Sequence, residues 1–226
     1  MLMETQYPLT DFVEYSPAEL QQRAADHLAL MQRRHTIRNF SDKPVPRQVI
    51  EQLIQVAAGA PSGANHQPWH FVAISDPAVK QQIRHEAELQ EAGFYNGRAG
   101  DEWLNALKPL GTDAHKPYLE TAPWLIVIFS QKRGGIDNND SDTNYYVHES
   151  VGIATGFLIQ AAHQVGLVSL THTPKPMSFL SKICGRDNDN DRPYMLLVLG
   201  YPAADATVPA HALKKKPFDQ ICTVVE

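Results

Sequence analysis

The run Trp124 to Gln131, WLIVIFSQ, is apolar at six successive positions. An unbroken apolar run of strand length, with no polar face, predicts a central strand covered on both sides. WHFVAIS (69–75) alternates well enough for a second strand, and LVSLTH (167–172) and YMLLVLGY (194–201) complete the set. Helices separate them. Ser16-Pro17-Ala18-Glu19 combines a capping hydroxyl, a proline suited to the first helical position and a glutamate three residues after the cap, so a helix should run through AELQQRAADHLALMQRR. Pro46 opens a second helix, RQVIEQLIQVAAGA, in which Val49, Leu53, Val56 and Ala57 share a face and which Pro61 ends. Asp76-Pro77 opens a third, which runs into ELQEAGFYNG. There Glu91 and Tyr95 lie on one face, while Gly93, Asn96, Gly97 and Gly100 weaken the helix. YYVHESVGIATGFLIQAAHQVG is the most apolar helix, with small residues at Gly152, Ala154 and Gly156. A helix apolar nearly all round is buried in the domain or in a subunit interface.

Between these elements, RGGIDNNDSDTN reads as a polar, mobile loop, and the tail HALKKKPFDQICTVVE ends in a strand-like run. No internal repeat or linker interrupts the alternation, which implies one α/β or α+β domain spanning 1–226.

Composition narrows the function. An apolar share of 43% and a charged share of 20% are those of an ordinary globular protein. A formal charge of −5 excludes a surface built to hold nucleic acid. Cys184 and Cys222 form no CxxC pair, which argues against a disulfide framework or zinc site and for a reducing compartment. The histidines include no HExxH pattern, so no metal is expected. No signal peptide is visible and the longest apolar runs are far short of a membrane span, so a soluble cytoplasmic protein is expected.

Four segments could carry chemistry. RRHTIRNFS places Arg34, His35, Thr36 and Arg38 together, a donor set suited to a phosphate. A solvated basic helix end would read the same way. AGAPSGANHQPWHF leaves backbone N–H groups free beside Ser62 and Gly63, where a planar ligand could approach, although it also serves as a plain connection. THTPKP sets Thr171 and Thr173 at a strand end, where ligands sit in such sheets and where threonine is also simply a good strand residue. KKKP (214–217) offers a further cation, or a solvated face.

In this order the segments resemble the FMN-dependent nitroreductase family, from Met31 to the C-terminus. LKPLGTDAHKPYLETAPWLIVIF, GLVSLTHTP, GYPAADATVP and LKKKPFDQI resemble its iodotyrosine deiodinase branch. The resemblance implies an α+β fold: a three-layer α/β/α sandwich with a mixed central sheet, in a domain-exchanged homodimer with an extended C-terminal arm and FMN at the interface. Arg34, His35, Thr36 and Arg38 would then hold the phosphate and ribityl chain, with Ile37 contributing backbone and Lys215 a further phosphate contact. Ser62 and Gly63 would touch the flavin, and Thr171, His172 and Thr173 would border its ring. The Thr173 hydroxyl, as the catalytic group, would reach the flavin and favour electron transfer in single steps. A lid over 88–118 would close on the substrate, with Glu91 on its ammonium, Tyr95 and Lys116 on its carboxylate, and Trp103 between them. The Ala64 backbone N–H would face the phenolate.

The activity so implied is reductive dehalogenation: mono- and diiodotyrosine to tyrosine and iodide, with bromo- and chlorotyrosine as further substrates. NADPH, or an external flavin or ferredoxin reductase, would supply electrons. The phosphate-binding segments serve equally a general NAD(P)H-dependent nitroreductase or quinone reductase. A non-catalytic flavin or amino-acid sensor is a third reading. His35 and Lys215 stand where arginine is usual in the animal enzymes and the branch respectively, and lysine lacks bidentate phosphate geometry.

Overall fold

Strand β2 (Trp124–Gln131) occupies the interior. Trp124, Ile126 and Ile128 pack into one hydrophobic cluster, and Leu125, Val127 and Phe129 into another on the opposite face. Beside it lies β6 (Asp191–Gly200), whose Leu197 and Leu199 join the first cluster and Leu196 and Val198 the second. The period of two along each strand thus divides one apolar run between two cores. With β1 (Trp69–Ile74) and β5 (Val168–His172) the order is β1-β2-β6-β5, each neighbouring pair antiparallel. An isolated parallel bridge from Thr36 to Ser169 makes the sheet mixed.

Helices cover both faces. α2 (Arg47–Ala58) and α6 (Val147–Gln164) pack on the first cluster. α3 (Pro77–Gly93), the one-turn α5 (Tyr118–Thr121) and α7 (Ser178–Ile183) pack on the second. The result is a three-layer α/β/α arrangement. The molecule is described by a computed structural model that covers residues 6–137, 139–187 and 189–226. Part of the chain start read for a leader, and Asn138 of the polar loop, fall outside the described residues.

Contacts divide the chain into a unit ending at Arg34 and a unit from His35 to Glu226. The first holds α1 (Pro17–Gln32), begun by the expected reciprocal cap between Ser16 and Glu19. Arg23 stacks on the Tyr15 ring at 3.8 Å. The second holds the sheet. α3 begins as its sequence signals, with Asp76 Oδ1 accepting from the Val79 N–H at 3.0 Å.

Several expectations need correction. On α2 the buried positions are Ile50, Leu53 and Ala57, an i, i+3, i+7 stripe, while Val56 is exposed. The polar segment after β2 is not only a loop: β3 (Arg133–Gly134) pairs with β4 (Asn139–Thr143), a hairpin that its polar composition concealed. Tyr146 precedes α6 in the left-handed region, φ 49°, so the tyrosine pair stays outside that helix. The C-terminal run forms no strand; Ile221, Val224 and Val225 are exposed. Among the described residues no helix is long and apolar enough to cross a membrane, and no three His, Cys, Asp or Glu side chains cluster as metal ligands.

Candidate active site

α3 loses its α-helical winding at the glycine-rich stretch. Phe94–Arg98 forms a single π turn that Gly97, at φ 140°, terminates. Only glycine takes that backbone conformation without strain. The short helix α4 (Asp101–Leu107) follows, and the chain returns through Thr112 and Asp113 to Lys116. This excursion roofs a cavity of about 450 Å³ whose floor is the end of β5. Its volume lies in the range of small-molecule sites.

The roof and rear contribute Glu91, Tyr95 and Lys116. Lys116 is 3% exposed and Glu91 14%, and Lys116 Nζ lies 3.2 Å from Glu91 Oε2. The same ammonium donates to Thr112 Oγ1 at 3.3 Å and to the Asp113 carbonyl, and sits 5.7 Å from the centre of the Tyr95 ring. Burial pushes the Tyr95 phenol up, against a hydrogen bond from Thr112. Phe94 meets Tyr95 and Trp103 edge-on at 5.3 and 5.0 Å, so an aromatic cluster lines the outer side.

The floor contributes Thr171, His172 and Thr173. His172 is buried against Tyr118, with ring centres 6.0 Å apart. Burial and then the nearby Lys116 ammonium lower its imidazole to about 3, so it is neutral at physiological pH. Among the described residues its Nε2 has no hydrogen-bond partner. Arg38 joins from the side because the bridge between Thr36 and Ser169, with the Ile37 N–H donating to Ser169 O at 3.2 Å, lays that segment along β5. Ile37 is buried there, while His35 and Thr36 are half-buried and do not line the cavity.

The remaining expected residues are elsewhere. Arg34 belongs to the N-terminal unit, its N–H bonded to Met31 O at 3.1 Å. Ser62, Gly63 and Ala64 form a tight loop that does not line this cavity. Ser62 Oγ accepts from the Gln67 N–H at 3.0 Å, and the Gly63 N–H donates to Ser150 Oγ at 3.3 Å. Ala64, Asn65 and Gln67 adopt φ of 51°, 58° and 50°, a conformation that costs non-glycine residues energy. A Cβ on Gly63 would lie 2.6 Å from the Tyr145 carbonyl oxygen, so no side chain fits. Lys215 is exposed, with Nζ on Ala212 O at 3.0 Å.

Arg98, Thr112, Tyr118 and Lys175, not singled out by the sequence, also line the cavity, and Glu88 lies behind Lys116. Glu88, Arg98, Thr112 and Tyr118 fall inside the expected lid and Lys175 inside THTPKP, but no local pattern singled them out.

Residues 31–201 match the nitroreductase family. The chain belongs to that family. Within it, the chain is 49% identical to an iodotyrosine deiodinase of Haliscomenobacter hydrossis over 203 residues, 90% of this chain and 91% of that one. It is 40% identical to human iodotyrosine deiodinase 1 over 211 residues, 93% of this chain and 72% of that one. A crystal structure of oxidized iodotyrosine deiodinase bound to FMN and 3-iodo-L-tyrosine superposes with a TM-score of 0.70 at 31% identity, covering 88% of this chain and 97% of the other. That superposition shows that the two chains share the fold.

Proposed function

We propose that the protein is an FMN-dependent reductive dehalogenase that removes iodide from mono- and diiodotyrosine, and accepts bromo- and chlorotyrosine. The observation that carries this reading is the pairing of Glu91 and Lys116 beside Tyr95 in the cavity roof. A free amino acid presents an ammonium and a carboxylate at fixed separation. Glu91 takes the first, and Lys116 with the Tyr95 hydroxyl takes the second. The internal ion pair is thereby exchanged for two pairs to the ligand, and no buried charge is left uncompensated. The reading is supported by the deiodinase relatives and by the solved relative with FMN and 3-iodo-L-tyrosine.

The floor fits FMN by its donor set: the Arg38 guanidinium, the Thr171 and Thr173 hydroxyls, and the unsatisfied buried Nε2 of His172. Bound in its reduced form, FMN supplies two electrons, which with one proton convert the aryl carbon–iodine bond to carbon–hydrogen and release iodide. Arg38, inside the cavity with the β5 threonines, would meet the cofactor there, and the neighbouring His35 and Thr36 would hold its phosphate side. The Thr173 hydroxyl would donate a hydrogen bond to the bound ring, as the catalytic contact. Closed over a bound substrate, the Phe94, Tyr95 and Trp103 cluster would exclude water from the zwitterion and strengthen each charge-assisted contact.

In a homodimer, Ser62, Gly63 and the Ala64 N–H would reach the flavin and phenolate from a second copy. The exposed Phe157 and Val165 of the α6 region, the exposed Val56 and the unpaired apolar tail offer surface for such an interface. NADPH, directly or through a reductase, supplies the electrons. Steady-state turnover of diiodotyrosine against nitrofurazone tests the assignment. Iodide release from diiodotyrosine is expected; turnover of the nitro compound alone would make the protein a general nitroreductase.

A further inference from the structure

Lys116 is gripped at two points by carboxylates one helical turn apart. Glu91 pairs with its side chain, as described. Glu88, three residues earlier on the same face of α3, accepts from the backbone N–H of Lys116 at 2.7 Å. Glu88 Oε1 also accepts from Arg84 Nε at 2.8 Å and lies 3.2 Å from His115 Nδ1. Further back, Arg84 reaches Glu120 Oε1 at 3.5 Å. The buried Lys80 donates to the carbonyls of Glu120 and Ala122 at 2.9 and 2.8 Å. Positions 80, 84, 88 and 91 therefore form a polar ladder along α3, and its rungs bind the segment from Lys116 to Ala122. Beyond the ladder the chain changes character, to a π turn, a glycine at positive φ and a short helix.

We propose that Glu88 is a positioning residue that, through the Lys116 backbone N–H, fixes Lys116 in register with Glu91, so that the lid's fixed root ends at this clamp and only residues 94–112 rearrange to admit substrate. The proposal rests on the halotyrosine reading for its effect on binding, but not for the clamp itself. Without the clamp the Lys116 ammonium could still pair with Glu91, but its main chain would be free to slide along α3. The two charges would then no longer sit at the spacing of an amino acid. Glu88 also enters the folded state as a firm carboxylate: burial pushes it up, but the Lys116 N–H, Arg84 and His115 together hold it down to about 2.

The test compares wild type with Glu88→Ala and Glu88→Gln as FMN-loaded proteins. The glutamine keeps an oxygen that can accept from the Lys116 N–H; the alanine does not. Titration of flavin fluorescence should show Glu88→Ala binding monoiodotyrosine about tenfold more weakly, the scale of one charge-assisted contact. Glu88→Gln should recover most of the loss. KM should rise while kcat at saturation stays near wild type, and FMN affinity should not move. Amide hydrogen exchange, without substrate, should quicken over residues 112–118 in Glu88→Ala and stay unchanged over 124–131. Unchanged exchange over 112–118 would overturn the clamp. Equal losses in the two variants, or a parallel fall in FMN affinity, would make Glu88 merely structural. If wild type itself fails to bind monoiodotyrosine, the halotyrosine reading and Glu88's role in it both fall, and the exchange result decides the clamp independently.

Discussion

Replacing Glu91 with Gln is expected to weaken monoiodotyrosine binding by roughly 10- to 100-fold and to leave FMN affinity unchanged. The carboxylate is 14% exposed and lies 3.2 Å from Lys116 Nζ. A hydrogen bond to a charged group contributes roughly 1.5–3 kcal/mol, more when water is excluded. Glutamine preserves the shape and one acceptor, but it cannot neutralise an ammonium. The substitution also leaves the buried Lys116 without its counter-charge, a state that costs several kcal/mol when uncompensated. Lys116 is then available to the substrate carboxylate from the outset, so some of the loss on the ammonium side is returned. The net effect remains a loss, because only the carboxylate supplies attraction for the ammonium. Titration of monoiodotyrosine against flavin fluorescence measures it. Unchanged affinity would remove the zwitterion clamp from the account.

Replacing Arg38 with Ala is expected to raise the FMN dissociation constant by about 10- to 100-fold, again the scale of a charged hydrogen bond. Arg38 is the cation that the Thr36–Ser169 bridge carries to the end of β5, beside Thr171 and Thr173. Arg38→Lys should fall between, since it keeps the charge and loses the planar fork. Titration of the apoprotein with FMN reads both. Full retention of flavin by Arg38→Ala would show that the cofactor is held elsewhere.

The sheet was legible in the sequence because its central strands are apolar on both faces, as WLIVIF shows. Helix starts were legible where a side chain caps them, at Ser16 and Asp76. The hairpin β3–β4 was not, because its residues are polar and carry no apolar alternation. The exposed face of α2 misled because Val56 is apolar yet sits off the buried stripe. At the site, Glu91 and Tyr95 were marked by their i, i+4 spacing, but only the family resemblance joined them to Lys116 and to a substrate. Their meeting in one cavity is a tertiary fact. Glu88 was invisible for a clearer reason. Its partner is a main-chain N–H 28 residues away, and a backbone donor has no sequence signature. The left-handed loop at Ala64 was signalled only by its small residues and proline, which indicate a turn without locating it relative to the cavity.

The central claim is that this cavity reduces a halotyrosine. Anaerobic mixing of dithionite-reduced, FMN-loaded protein with monoiodotyrosine tests it most directly, with flavin absorbance, iodide and tyrosine followed together. The account predicts that each reduced flavin is reoxidised with release of one iodide and one tyrosine, since two electrons and a proton replace one carbon–iodine bond. A flavin that stays reduced with monoiodotyrosine, and is reoxidised only when a nitroaromatic is added, would contradict it.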